Sequence, residues 1–132
     1  MRLHHMQVSM PRGEEGEARR FYAGALELQE VPKPHSLAGR GGCWFRAYDG
    51  DTVTAEIHLG VEDPFRPAAK AHPGLVCDTL EELEATAQRI ENGGYELSWE
   101  ERDTFEGYLR FHARDGFGNR VEVMTLDADP SR

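Results

Sequence analysis

Cysteine is scarce in this chain of 132 residues, with only Cys43 and Cys77. They lie far apart in strand-like contexts and form no CxxC pair, which excludes a disulfide framework and points to two buried free thiols. Lysine is scarcer relative to its partner: arginine outnumbers it thirteen to two. No run of basic residues interrupts a formal net charge of −9, so the footprint that nucleic acid or an anionic membrane would need is missing. No stretch reaches the length of a membrane span, and the opening "MRLHHMQVSM" has no apolar run of the secretory kind. A cytoplasmic protein whose partner is a small molecule is expected.

What is present is an order of elements that occurs twice. The alternation of Met6, Val8 and Met10 with His5, Gln7 and Ser9 predicts a strand over 3–10. Ala18, Phe21, Tyr22 and Ala25, spaced by three and four, predict a helix over 14–26. Strands are expected over 27–31, 42–48 and 52–59, the last two joined by the Asp-Gly turn of "YDGD". A second round follows, with a strand over 71–77 and a helix through "DTLEELEATAQRIENGG". Asp78 with Glu81, or Thr79 with Glu82, supplies a capping box, Leu80, Leu83, Ala87 and Ile90 the apolar stripe, and Gly93 the end. Strands over 96–100, 107–114 and 120–126 complete it. The two-proline segment "VEDPFRPAAK" reads as the connector.

The chain is therefore expected to be one α+β domain of two βαβββ modules in tandem. Module one covers about 1–64, module two about 65–126, and a short tail 127–132. Each module is a four-stranded mixed sheet with a helix on one face, and together they form an open, barrel-like cavity.

"VTAEIHLG", residues 53–60, decides where chemistry should be sought. Val53, Ala55, Ile57 and Leu59 fall on one side of this strand, and Thr54, Glu56 and His58 on the other. Extended to every strand, the apolar side gathers Met6, Val8, Leu75, Cys77, Leu109, Phe111, Val121 and Val123. The other gathers His5, His58, His72 and His112 with Glu56, Glu122, Arg110 and Arg120. Four of the six histidines thus share a parity with two carboxylates, the donor chemistry of a metal site. His5 and His72 stand 67 residues apart, and Glu56 and Glu122 stand 66 apart, at corresponding places in the modules. Converging on one axis, His5, Glu56, His72 and Glu122 would suit a divalent Zn, Ni, Co, Mn or Fe ion. Glu56 and His58 compete for the first-module ligand position, with His58 otherwise an outer or substrate contact. Arg110 and His112 are candidates for an anionic substrate group, although a solvated strand face explains them about as well.

"LHHMQV", "RRFYAGALEL", "TAEIHLG", "AHPGLVCDTLEELEATAQRIENGG" and "DGFGNRVEV" resemble the signature segments of the vicinal oxygen chelate superfamily. That group holds glyoxalase I, fosfomycin-modifying enzymes, extradiol dioxygenases and bleomycin-binding proteins. The resemblance runs from Leu3 to Leu126 and is closest to the glyoxalase I-like branch. It implies a lyase or isomerase acting on a small molecule with vicinal oxygens through a metal-stabilised enediolate, with Glu122 and Glu56 as the catalytic bases. It also implies metal ligands at His5, Glu56, His72 and Glu122, and a homodimer. Two other activities fall within it: a metal-free binder of the bleomycin-resistance kind, and an iron-dependent extradiol dioxygenase. The chain departs from the pattern in three places. "PRGEEGEARR" lacks the usual Asp-Leu, Glu27 stands where glycine is common, and Phe117 stands where glyoxalase I tends to have Asp. No segment resembles a glutathione-binding set.

Overall fold

Two sheets of identical strand order carry the molecule, as a computed structural model that describes residues 1–129 and Ser131. Pro130 and Arg132, part of the expected tail, lie outside the described residues. In the first sheet β1 (Met6–Met10) runs parallel to β4 (Thr52–Val61). Then come β3 (Cys43–Asp49) and β2 (Gln29–Val31), both antiparallel, in the order β1-β4-β3-β2. The second sheet repeats this as β5-β8-β7-β6, from Gly74–Val76, Arg120–Leu126, Tyr108–Arg114 and Leu97–Ser98. Both sheets are mixed, open and bounded by unpaired edges, and β1 and β5 are edge strands.

The alternation holds. Val8, Ile57, Leu59, Cys77, Leu109, Phe111, Val121 and Val123 are buried, while Met6, Ala55 and Leu75 are half-buried at the sheet margins. Val53 departs from it and is exposed, because the register between β3 and β4 slips at Ala47/Tyr48 and turns the strand end outward. Cys43 and Cys77 are buried and free. Burial lifts both thiols to about 11, so neither is a thiolate at neutral pH.

The second-module helix, α2 (Leu80–Asn92), forms for the reasons its sequence gives. Thr79 accepts from the Glu82 N–H at 3.1 Å, while the Glu82 carboxylate accepts from the backbone N–H of Asp78 at 2.9 Å. Leu83, Ala87 and Ile90 are buried beneath it. The first-module helix is less regular. It begins as α1 (Glu15–Arg19) and continues as a π-helical stretch over Arg20–Ala25, where Leu26 N–H reaches Phe21 O five residues back. Glu27 then adopts φ 57°, and Leu28 N–H bonds to Tyr22 O at 2.9 Å. That left-handed residue ends the helix and delays β2 to Gln29, two residues later than expected. It also gives the physical reason a glycine would suit this position.

The modules are joined through their helices. Arg20 donates to Gly93 O at the end of α2 (3.0 Å), and Arg89 of α2 donates to Ala25 O at the end of the π-helical stretch (2.9 Å). Tyr22, fully buried and stacked 5.6 Å from Phe45, donates its hydroxyl to Asp115 in the other module at 2.7 Å. Asp115 also accepts from the N–H groups of Phe117 and Asn119 (2.9 Å each) and from Asn119 Nδ2, which in turn reaches Ser9 O of β1 at 2.8 Å.

Two substitutions test this account by urea denaturation. Tyr22→Phe leaves a buried carboxylate short of one charge-assisted donor and is expected to cost about 1.5–3 kcal/mol. Glu27→Gly relieves the left-handed strain and gives up only an exposed pair with Arg89 at 3.4 Å. It is expected to stabilise the protein by about 0.5–1 kcal/mol.

Candidate functional site

Polar groups converge at two places, one on each sheet. On the second sheet the pairing of β7 with β8 sets His112 opposite Glu122, and β5 sets Gly74 beside Glu122 on its other side. The glycine carries no side chain there, and the segment before it delivers His72 instead. Pro73 ends the regular strand early but its carbonyl still accepts from the Glu122 N–H at 3.0 Å, which keeps His72 close to the sheet. His72 Nε2 lies 3.4 Å from Glu122 Oε1, and His112 Nε2 lies 3.0 Å from the same oxygen. Arg110 donates to it from 3.0 Å. Among the described residues, His72, His112 and Glu122 form the one group of three or more potential metal-ligating side chains whose donor atoms all lie within 4.8 Å of one another.

The His72 tautomer follows from its neighbour. Its Nδ1 is 2.6 Å from Lys70 O, and a carbonyl only accepts, so Nδ1 carries a proton and Nε2 is the nitrogen turned toward Glu122. Burial lowers the His112 pKa, and the charges of Arg120 and Arg110 lower it further against the pull of Glu122. For Glu122, burial pushes the pKa up, but the hydrogen bond from His112 and the charge of Arg110 outweigh it and hold the group below the usual carboxylate range. A neutral imidazole and an ionised carboxylate are the forms a cation would need.

On the first sheet the cluster is built differently. Glu56 is buried, accepting from Arg46 Nε and pairing with His58 Nε2, each at 2.6 Å. His58 lies between two rings, stacked on Trp44 at 3.7 Å and on His5 at 4.0 Å. His4 joins the edge, with Nδ1 3.0 Å from that of His5 and 3.9 Å from Glu56. Burial and the nearby His5 and His4 lower the His58 pKa despite its bond to Glu56. Burial acts to raise the Glu56 pKa, but His58 and Arg46 bring it down.

Sheet register, not chain spacing, fixes which residues are equivalent. His58 lies between Gln7 and Trp44, as Glu122 lies between Gly74 and His112. The counterpart of Glu122 is therefore His58, and Glu56, two residues earlier, corresponds to Arg120. Of the four residues expected at one point, His72 and Glu122 meet, joined by His112 and Arg110 from the substrate candidates. His5 and Glu56 are gathered with His58 in the other cluster. Among the described residues no hydrogen bond, ion pair or ring contact links the two clusters within the chain. Trp44 and Arg46 were not placed by the sequence pattern, although Cys43 and Phe45, both buried, put them in phase with His58 and Glu56.

The sequence matches the Glyoxalase/Bleomycin resistance protein/Dioxygenase superfamily over residues 2–123. No curated protein matches it. Among solved structures it is similar to a protein assigned to the glyoxalase family from Bacillus anthracis. The two share 38% identity over 96% of this chain and 100% of that one, with a TM-score of 0.77. It is also similar to the fosfomycin resistance protein FosX from Listeria monocytogenes, at 16% identity over 98% of this chain and 94% of that one, TM-score 0.70. The second likeness is one of fold.

The lowered pKa values carry a sign. Below about 6.5, the ordinary histidine value, the unfolded chain takes up protons that folded His58 and His112 resist, so stability falls as pH drops. Glu56 and Glu122 add to the loss below 4.5, as acid reaches their lowered folded values. Chelator-treated protein is expected to lose thermal stability between pH 7.5 and 5.5, and His58→Gln with His112→Gln to flatten that slope, measured by melting temperature across the range.

Proposed function

The chain belongs to the Glyoxalase/Bleomycin resistance protein/Dioxygenase superfamily, and within it we propose a metal-dependent enzyme of the glyoxalase-like lyase or isomerase type. Its substrate is a small molecule with vicinal oxygens. The observation that carries this reading is the His72, His112 and Glu122 triad, whose donor atoms stand within 4.8 Å of one another. The donor set fits a divalent ion of the Zn, Ni, Co, Mn or Fe group: two imidazoles, at least one with its tautomer fixed, and one carboxylate steered by Arg110.

When bound, such an ion supplies Lewis acidity toward the two substrate oxygens. The chain supplies the rest. His72 and His112 would hold the ion through the Nε2 atoms they turn toward Glu122, and the ionised Glu122 would accept the proton lost beside the carbonyl. Glu56, kept ionised by Arg46 and His58, serves as the second base. His5 and His58 would complete the set of residues that hold the ion, from the first module.

That completion requires a second copy of the chain. Because the two clusters do not meet within one chain, we propose a homodimer in which the first-module cluster of each copy faces the triad of the other. The edge strands β1 and β5 carry, or adjoin, the clusters, and the flanking Leu3 and Val76 are 90% and 63% exposed. Unpaired strand edges beside exposed apolar side chains are suited to association.

A metal-free small-molecule binder is the competing reading. It is favoured by one observation: Arg110 and His112 already satisfy Glu122 without any ion.

Elemental analysis of tag-free protein separates the two, combined with light scattering and assays on hemithioacetals. About one divalent ion per chain in a dimer is expected. Chelation should lower the melting temperature, because an ion at a hundred times its Kd contributes about 2.7 kcal/mol. Glu122→Gln should reduce metal retention at least tenfold and abolish turnover. Protein that is metal-free, indifferent to chelator and still able to bind ligand would establish the binder instead.

A further inference from the structure

Superposing the two modules by register exposes a difference next to the triad. In the first module, two residues along from the Trp44–His58 pair, Arg46 stands opposite Glu56 and the two are joined at 2.6 Å. In the second, two residues along from the His112–Glu122 pair, Arg114 stands opposite Arg120. The carboxylate that neutralises the arginine in one module is replaced by a second cation in the other. Among the described residues neither Arg114 nor Arg120 makes an ion pair. Arg114 is anchored by donating to Gly118 O at 3.2 Å, and among the described residues the Arg120 side chain has no hydrogen-bond partner.

Both arginines line a recess of about 540 Å³, together with His112. Its carboxylates, Glu96, Glu100 and Glu101, pair with neither: none lies within 4.0 Å of either guanidinium, and Glu101 turns to Arg110 at 3.7 Å. Two half-buried cations set opposite one another in the register of neighbouring strands repel, and an anion between them removes the repulsion. Planar guanidinium groups match the oxygens of carboxylate or phosphonate groups.

We propose that Arg114 and Arg120 form the seat for one oxyanion group, carboxylate or phosphonate, of a small ligand whose remaining body carries no negative charge. The ligand's anion takes the place that Glu56 occupies in the first module, and the carboxylates of the recess disfavour any second negative group. The seat rests on the metal-site reading only for its position beside the reacting atoms; the anion binding itself does not depend on a metal.

Isothermal titration of chelator-treated protein at constant ionic strength tests this, with pyruvate, methylphosphonate, inorganic phosphate and uncharged hydroxyacetone as probes. Saturable binding of pyruvate or methylphosphonate is expected, and the better of the two identifies the oxyanion preferred. Hydroxyacetone should bind at least tenfold more weakly. Arg120→Glu restores the opposite-charge pairing of the first module, so it should raise the melting temperature while weakening the preferred anion at least tenfold. Arg114→Gln should weaken it as well. Equal binding by wild type and Arg120→Glu, or no preference for the anions over hydroxyacetone, overturns the proposal. Metal content, measured on Arg114→Gln, should remain that of the wild type, so the failure of this seat and that of the metal site are read separately.

Discussion

The Asp115 carboxylate is the tie on which the arrangement of the modules depends. It is buried, belongs to the turn between β7 and β8, and accepts a hydroxyl from the first module together with three donors from its own turn. A buried carboxylate tolerates neither loss of donors nor displacement, so Tyr22 must stay where the π-helical stretch places it. Asn119 extends the constraint to β1 through Ser9 O. One polar node thus sets the first helix, the last turn and the first strand relative to one another.

Around that node the molecule is a duplication whose copies keep their strand order and diverge in side chains. The polar sides of the two sheets are equivalent in register but not in charge. The first holds a closed set of aromatic rings, a carboxylate and its arginine, with Glu56 and His58 both buried. The second holds a carboxylate with two imidazoles and a row of arginines at half-buried positions. The first set already pairs its charges internally, and the second leaves cations open to a ligand.

Much of this could be read from the sequence because period-two and period-3.6 patterns report burial directly. The apolar parity from Val8 to Val123, the Thr79–Glu82 cap and the placing of His72, Glu122 and His112 on one face all follow from local alternation. What could not be read depends on alignment between strands. Spacing along the chain pairs Glu56 with Glu122, but hydrogen-bond register pairs His58 with it, because the β3–β4 and β7–β8 hairpins differ in length ahead of those residues. The π-helical stretch and left-handed Glu27 escaped for another reason. They answer to Tyr22, whose partner Asp115 is 93 residues away, and no short window contains both. The surplus of arginine over lysine gains a partial cause from the fold. Arg20 and Arg89 each reach a backbone carbonyl at the end of a helix, and Arg114 reaches one in the β7–β8 turn, a task for a long side chain with a planar donor group.

The exchange of arginines between helix ends has a broader consequence. Arg20 closes the carbonyl end of α2, and Arg89 closes that of the first-module helix, each placing positive charge where the helix dipole is negative. Each repeat therefore finishes the other, and a repeat expressed alone would leave its helix terminus bare. Although the chain repeats one order of elements, this exchange couples its halves, and the two are expected to melt together. A single repeat could reach the same stability only by supplying from within itself the cap that it now takes from the other.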